Sequence, residues 1–99
     1  MELKEIRTFL EKMNEIIFDP HFYKRIGERP INEGMVRGFL SQLAKLEKIE
    51  QGKGERFKLW FKMSKKYSLV LIIEIISSKG LKVISAWNTN RTWQDKLKQ

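Results

Sequence analysis

The chain has no cysteine, one histidine (His21) and two aspartates (Asp19 and Asp95) among its 99 residues. Without cysteine there is no disulfide and no thiolate metal site. A single imidazole with so few aspartates gives no basis for a dedicated transition-metal centre, so no metal or other cofactor is expected. The longest uninterrupted apolar run, Leu69–Ile73, is far too short to span a bilayer. The N-terminal MELKEIRTFLEK is charged from its second residue and lacks the apolar core of a secretory signal. These absences predict a soluble, cytoplasmic protein with no membrane association. Also missing are a phosphate-binding glycine loop, a nucleophile elbow, an HExxH helix and a paired-carboxylate motif.

What the chain does have is positive charge. Twenty Lys+Arg against twelve Asp+Glu leave a formal net charge of +8. On a chain this short, that excess points to an anionic partner such as a nucleic acid or an acidic protein. The hydrophobic fraction of 41% and the length suit one globular domain over 1–99.

Apolar residues at Leu3, Ile6, Phe9, Leu10, Met13, Ile16 and Ile17 follow helical spacing and predict a helix to Phe18. Asp19-Pro20 then reads as an N-cap and first helical residue of a short second helix, with Gly27 as its terminator. Asn32 is placed to cap a third helix from Glu33 to about Lys48, with Met35, Val36, Phe39, Leu40, Leu43 and Leu46 as its apolar stripe. After the Gln51–Gly54 loop the period falls to two. Phe57, Leu59, Phe61 and Met63 alternate with Arg56, Lys58, Trp60 and Lys62, and two further strands follow in SLVLIIEII and GLKVISAW. Ser78-Lys79-Gly80 predicts a three-residue hairpin loop with Gly80 in the left-handed region, which sets Ser77 opposite Leu81 and Glu74 opposite Ile84. The expected fold is α+β: two to three N-terminal helices on one face of a three- to four-stranded antiparallel sheet.

Candidate chemistry is distributed. His21, Arg25 and Arg29 are spaced four residues apart in HFYKRIGERPI, and His21 alone has an unperturbed pKa suited to proton transfer near neutrality. Lys58 and Lys62 flank Trp60 on one strand face, combining phosphate contacts with a stacking surface. Asn88, Arg91 and Trp93 follow in SAWNTNRTW, where short hydrogen bonders and an arginine suit phosphate contacts. Each feature also has an ordinary structural reading. His21 can end a helix, Arg25 and Arg29 can pair with Glu28 and Glu33, Lys58 can pair with Glu74, and Trp87 and Trp93 can be core or dimer anchors.

The pattern His21-x3-Arg25-x3-Arg29-x-Ile31-x4-Val36, followed by a leucine-bearing helix, a glycine loop and three strands ending in VISAW, resembles the small His-Arg-Arg domains allied to BrnT and RelE/ParE-type toxins of the RelE-like superfamily. The likeness covers about residues 21–93, so residues 1–18 would be an N-terminal helical extension to a 19–99 core. Typical RelE proteins open with a strand where a helix is expected here. The resemblance implies a toxin-like endoribonuclease that needs no metal and cleaves RNA by attack of a ribose 2′-OH on the neighbouring phosphate. It further implies RNA, free or on the ribosome, as substrate and a small acidic antitoxin as partner. His21 would transfer a proton, and Arg25, Arg29 and Arg91 would stabilise the developing phosphorane. The second proton-transfer group stays open among Glu74, Tyr23 and Tyr67. Two other readings compete: a non-catalytic nucleic-acid-binding module using Lys58, Trp60, Lys62 and Arg91, and a homodimeric interaction domain anchored by tryptophans.

Overall fold

The computed structural model describes residues 2–26 and 29–91; Gly27, Glu28 and Trp93 lie outside them. Helix α1 (Leu3–Lys12) buries Ile6, Phe9 and Leu10. It stops well short of Phe18, because Glu15–Phe18 forms a strand, β1. The amides of Asn14 and Glu15 donate to the carbonyl of Lys79 at 2.9 and 3.1 Å, drawing the chain into parallel pairing beside the last strand, β5 (Gly80–Asn90). Ile16 and Phe18 pack toward the core while Ile17 is 43% exposed. In four residues the strand and helix periods cannot be told apart, and tertiary pairing decided. A strand thus lies within the stretch expected to be the end of the first helix.

The chain leaves β1 through Asp19, whose amide donates to Val83 O. Asp19 then caps α2 (Pro20–Ile26) as expected: its carboxylate accepts from the His21 amide at 2.8 Å. α2 packs on β5 and buries Phe22, whose ring lies 4.8 Å from that of Phe18. Asn32 Oδ1 accepts from the Met35 amide at 2.9 Å and starts α3 (Glu33–Leu40). The Tyr23 hydroxyl donates to the Glu33 carboxylate and ties α2 to α3.

α3 ends at Leu40 rather than near Lys48. The Ser41 hydroxyl donates to Arg37 O at 2.7 Å, a local bond that competes with helix continuation. A short 3₁₀ turn at Leu43–Lys45 leads into strand β2 (Leu46–Gln51). The helical spacing of Leu43, Leu46 and Ile49 has a physical source. A bulge between Leu46 and Lys48 inserts Glu47, so two residues on the same sheet face fall three apart instead of two.

β3 (Arg56–Lys62) and β4 (Tyr67–Ser77) complete a sheet of order β1-β5-β4-β3-β2. The α+β architecture with helices on one face is as expected. The sheet has five strands and is mixed, however, because β1 and β2 came from stretches read as helix. Phe57, Leu59, Phe61, Leu69, Leu71 and Ile73 form the core with Ile6, Leu10, Phe22, Val36 and Leu40 of the helices.

The β4–β5 hairpin also departs from expectation. Ser77 faces Gly80, leaving Ser78-Lys79 as the connection, and Glu74 faces Lys82. Among the described residues positive φ occurs only at Gly54 (58°), so Gly80 is not left-handed. Glycine fits the close packing there, since a Cβ would come within 2.7 Å of Ser77 Oγ and 3.2 Å of Glu15 Oε1, and those side chains would have to shift. A second bulge sets Ile73 opposite Val83 but Ile72 opposite Ser85, with Ile84 between.

Phe22→Ala is expected to lower unfolding free energy by ~3–5 kcal/mol and Asn32→Ala by about 1 kcal/mol, as read by chemical denaturation. The bond to Glu33, with smaller contributions from lost solvent and the Glu33 charge, raises the Tyr23 pKa above its ordinary 10.0, against an opposing pull from Arg37. The protonated phenol is the favoured form, so the pair stabilises the fold below the ordinary phenol range, and this contribution is lost as pH rises through the folded pKa. In a Tyr67→Phe background, Glu33→Gln should move the tyrosinate absorbance titration of Tyr23 downward.

Candidate nucleic-acid interface

Cross-strand pairing arranges the sheet face opposite the helices into rows. Lys48, Trp60, Val70 and Trp87 form one row across β2, β3, β4 and β5. Beside it runs Glu50, Lys58, Ile72 and Ser85. Beyond that lie Arg56, Glu74, Lys82 and Ile17, reaching β1. Lys62, Ser68 and Thr89 make up the row on the other side of the tryptophans. Directly opposed residues in neighbouring strands share a face, so each row is a line of touching or nearly touching side chains.

The central row is aromatic and apolar. Val70 lies between the two indoles and is fully buried, and Trp60 is 8% exposed. The Lys58 ammonium lies over both rings, 4.8 Å from the Trp60 centroid and 5.4 Å from that of Trp87. Lys48 approaches Trp60 from the other side at 5.7 Å. These are cation–π contacts, each about 0.5–2 kcal/mol depending on desolvation. They occupy the Trp60 ring that the sequence reading assigned to stacking; Trp87, half-buried, is the more accessible indole.

Charge on this face is largely balanced. Lys48 Nζ lies 2.8 Å from Glu50 Oε1, Arg56 is 4.0 Å from Glu74, and Lys82 is 4.0 Å from Asp19. The Lys48 hydrogen bond, together with the charges of Lys48 and Lys58, holds Glu50 below the usual carboxylate range despite partial burial. It therefore stays ionised further into acid. Lys58 is not the partner of Glu74, since it stands opposite Ile72 and turns toward the indoles. Lys62 is exposed at the edge of the aromatic row.

Helix α2, which carries the first part of HFYKRIGERPI, packs on β5. His21, Lys24 and Arg25 are exposed on α2, and among the described residues their side chains make no hydrogen bond or ion pair. Residues four apart share a helix face, so the imidazole of His21 and the guanidinium of Arg25 are neighbours. Arg29 differs: its Nη1 donates to Ala86 O at 2.6 Å. β1 stops opposite Val83, which leaves the β5 edge beyond it open, and Arg29 satisfies a carbonyl there. Trp87 directly follows Ala86 and, as the next strand residue, faces the other side of the sheet.

Arg91 is 4% exposed and bound to its surroundings. Its guanidinium forms a two-pronged ion pair with Glu47, one arm at 3.0 Å, and donates to Ser68 Oγ at 3.0 Å. This joins the end of β5 to the bulge of β2. Asn88 stands opposite Leu69 and so belongs to the helix-side face, away from Lys58 and Trp60. The residues read together from sequence thus fall into separate settings. Lys58, Trp60 and Lys62 share the sheet face opposite the helices, and His21 and Arg25 share α2. Arg29 and Arg91 each hold backbone or carboxylate groups.

Sequence reasoning missed Lys48, Glu50 and Trp87 as members of the face. Lys48 was hidden by the expected helix that ran to it, and Glu50 fell between that helix and the Gln51–Gly54 loop. The facing of Trp87 depends on the bulge at Ile84, which no short-range pattern announces. Among the candidates for a second proton-transfer group, Tyr23 is engaged by Glu33 and Glu74 stands beside Arg56 and Lys82. Tyr67 is exposed at the start of β4, opposite Asn90.

Among the described residues, no helix is long and apolar enough to cross a membrane. No protein-family model matches the chain, and no curated protein matches it. Among solved structures it is similar to the crystal structure of the Brucella abortus ribonuclease toxin BrnT, with a TM-score of 0.59 and 18% identity. That match covers 76% of this chain and 95% of the BrnT chain. At this identity the likeness is one of fold, and the chain has a BrnT-like α+β fold.

Proposed function

We propose that this protein is a toxin-like endoribonuclease that binds single-stranded RNA across the Lys58–Trp87 face and cleaves it beside α2 without a metal. The observation that carries the reading is the state of His21 and Arg25. They are exposed neighbours on α2, without side-chain partners among the described residues, next to the strand edge that leads to Trp87. A ribose 2′-OH attacking the adjacent phosphate needs proton transfer and positive charge at the developing phosphorane, and these two groups supply them. The BrnT-like fold supports the same reading, because the solved protein of that fold is itself a ribonuclease toxin.

In this reading His21 takes the proton from the attacking 2′-OH, solvent water protonates the leaving 5′-oxygen as its bond to phosphorus breaks, and Arg25 faces the phosphate. Lys58 and Lys62 contact flanking phosphates. Arg29 and Arg91 are positioning residues: one fixes the β5 edge beside α2, the other fixes the far end of β5. A small acidic antitoxin suits the formal charge of +8, and a cytoplasmic site of action suits an RNA substrate. Whether the RNA is cut free or on the ribosome is part of what the assay decides. The cation–π grip of Lys58 on two indoles favours a second reading, a binding module without chemistry.

Purified protein is expected to cut a mixed RNA in EDTA, with His21→Ala lowering the rate by ~10²–10⁴-fold. Activity unchanged in His21→Ala would overturn the catalytic assignment. Binding without cleavage, by the protein alone and with ribosomes, would favour the second reading. In either case log affinity should fall linearly with log salt concentration, and Lys62→Ala should make the slope shallower by about 0.7, the single-strand value for one phosphate contact. A slope indifferent to salt would instead favour an apolar homodimer.

A further inference from the structure

Next to the aromatic row lies a cavity of about 300 Å³ at the β2–β3 hairpin, bordered by Glu50, Lys53, Arg56, Lys58 and Ile72 among others. Its volume is at the lower end of the ~300–1,000 Å³ typical of small-molecule sites. Three of its borders are cationic, one is an ionised carboxylate, and Ile72, half-buried, supplies an apolar wall. It connects to the tryptophans through Lys58, which both borders the cavity and covers the indoles.

Glu50 is the informative residue. A carboxylate among phosphate-binding cations repels the phosphates themselves, so its presence in an RNA site calls for a donor from elsewhere on the ligand. Its Oε1 takes Lys48 Nζ at 2.8 Å, while Oε2 has no hydrogen-bond partner among the described residues. A carboxylate offers roughly four lone-pair sites, so both oxygens keep acceptor capacity. Single-stranded RNA exposes the Watson–Crick edges of its bases. Guanine alone of the four presents two adjacent N–H donors there, N1–H and the exocyclic amino group, in the geometry that two carboxylate oxygens match.

We infer that this cavity is a base-selective subsite that holds an unpaired guanine, with Glu50 accepting from its Watson–Crick edge. Ile72 lies against the base, and Lys53, Arg56 and Lys58 hold the phosphates on either side. Arg56 is released for this by its loose pairing with Glu74, at 4.0 Å with the Arg56 side chain half exposed. The inference rests on the RNA-binding reading above and adds a sequence preference to it.

The test uses 2′-O-methyl pentanucleotides, which lack the attacking hydroxyl, made of uridines with a central G, A, C or U. Binding to the full-length protein is followed by tryptophan fluorescence. The G-centred oligomer is expected to bind roughly tenfold more tightly than the all-U one, the discrimination of a good two-bond base contact. Glu50→Gln should abolish that preference while the all-U oligomer still binds. Glu55→Gln, which removes the same charge from the exposed hairpin loop, should leave the preference intact and so separates base reading from a change in net charge. Equal affinity for all four oligomers, or a guanine preference that survives Glu50→Gln, would overturn the subsite and leave RNA binding standing. Failure of every oligomer to bind would take down the RNA reading, and the subsite with it. Thermal unfolding of both variants verifies that they are folded.

Discussion

The parallel pairing of Glu15–Phe18 with Gly80–Val83 is the constraint on which the rest of the molecule depends. It ties an N-terminal segment to β5, with Gly80 at the close approach, where a side chain would displace Ser77 and Glu15. Because β1 ends opposite Val83, Asp19 turns the chain directly into α2, and α2 is laid along the part of β5 that β1 leaves open. The exposed groups of His21 and Arg25 owe their place beside that edge to where β1 stops.

Open sheet edges are a hazard, and arginine manages them here. Arg29 donates to Ala86 O on β5, Arg37 reaches Ile16 O on β1 at 3.5 Å, and Arg7 donates to Leu46 O at the start of β2. Arg91 joins two strands through Glu47 and Ser68. Four of the six arginines, among twenty Lys+Arg, therefore serve the frame. Net charge describes the whole molecule and its attraction for anions; it does not locate a site.

The sheet face opposite the helices makes the same point on a smaller scale. Its cations alternate with Glu50, Glu74 and Asp19, so it is a patterned surface rather than a uniformly basic one. Such a pattern suits a ligand with both acceptors and donors, as phosphates and base edges provide, better than it suits a featureless polyanion.

Much was legible in the sequence wherever local chemistry controls the outcome. Asp19-Pro20 and Asn32 start helices because a side-chain oxygen close in sequence satisfies a free amide, and β3 reads correctly because strict alternation survives through seven residues. What failed did so where the tertiary structure sets the phase. β1 is too short to show its period, the bulge at Glu47 gives a strand the spacing of a helix, and the bulge at Ile84 decides which way Trp87 faces. The sequence by itself determined the fold class, the helix starts, the core face of β3 and β4 and the identity of the unusual residues, His21 above all. Only the tertiary structure decided which arginines are free and which are consumed by carbonyls and Glu47, and that Glu50 and Trp87 share a face with Lys58. Those outcomes depend on partners tens of residues away, and short-range spacing carries no record of them.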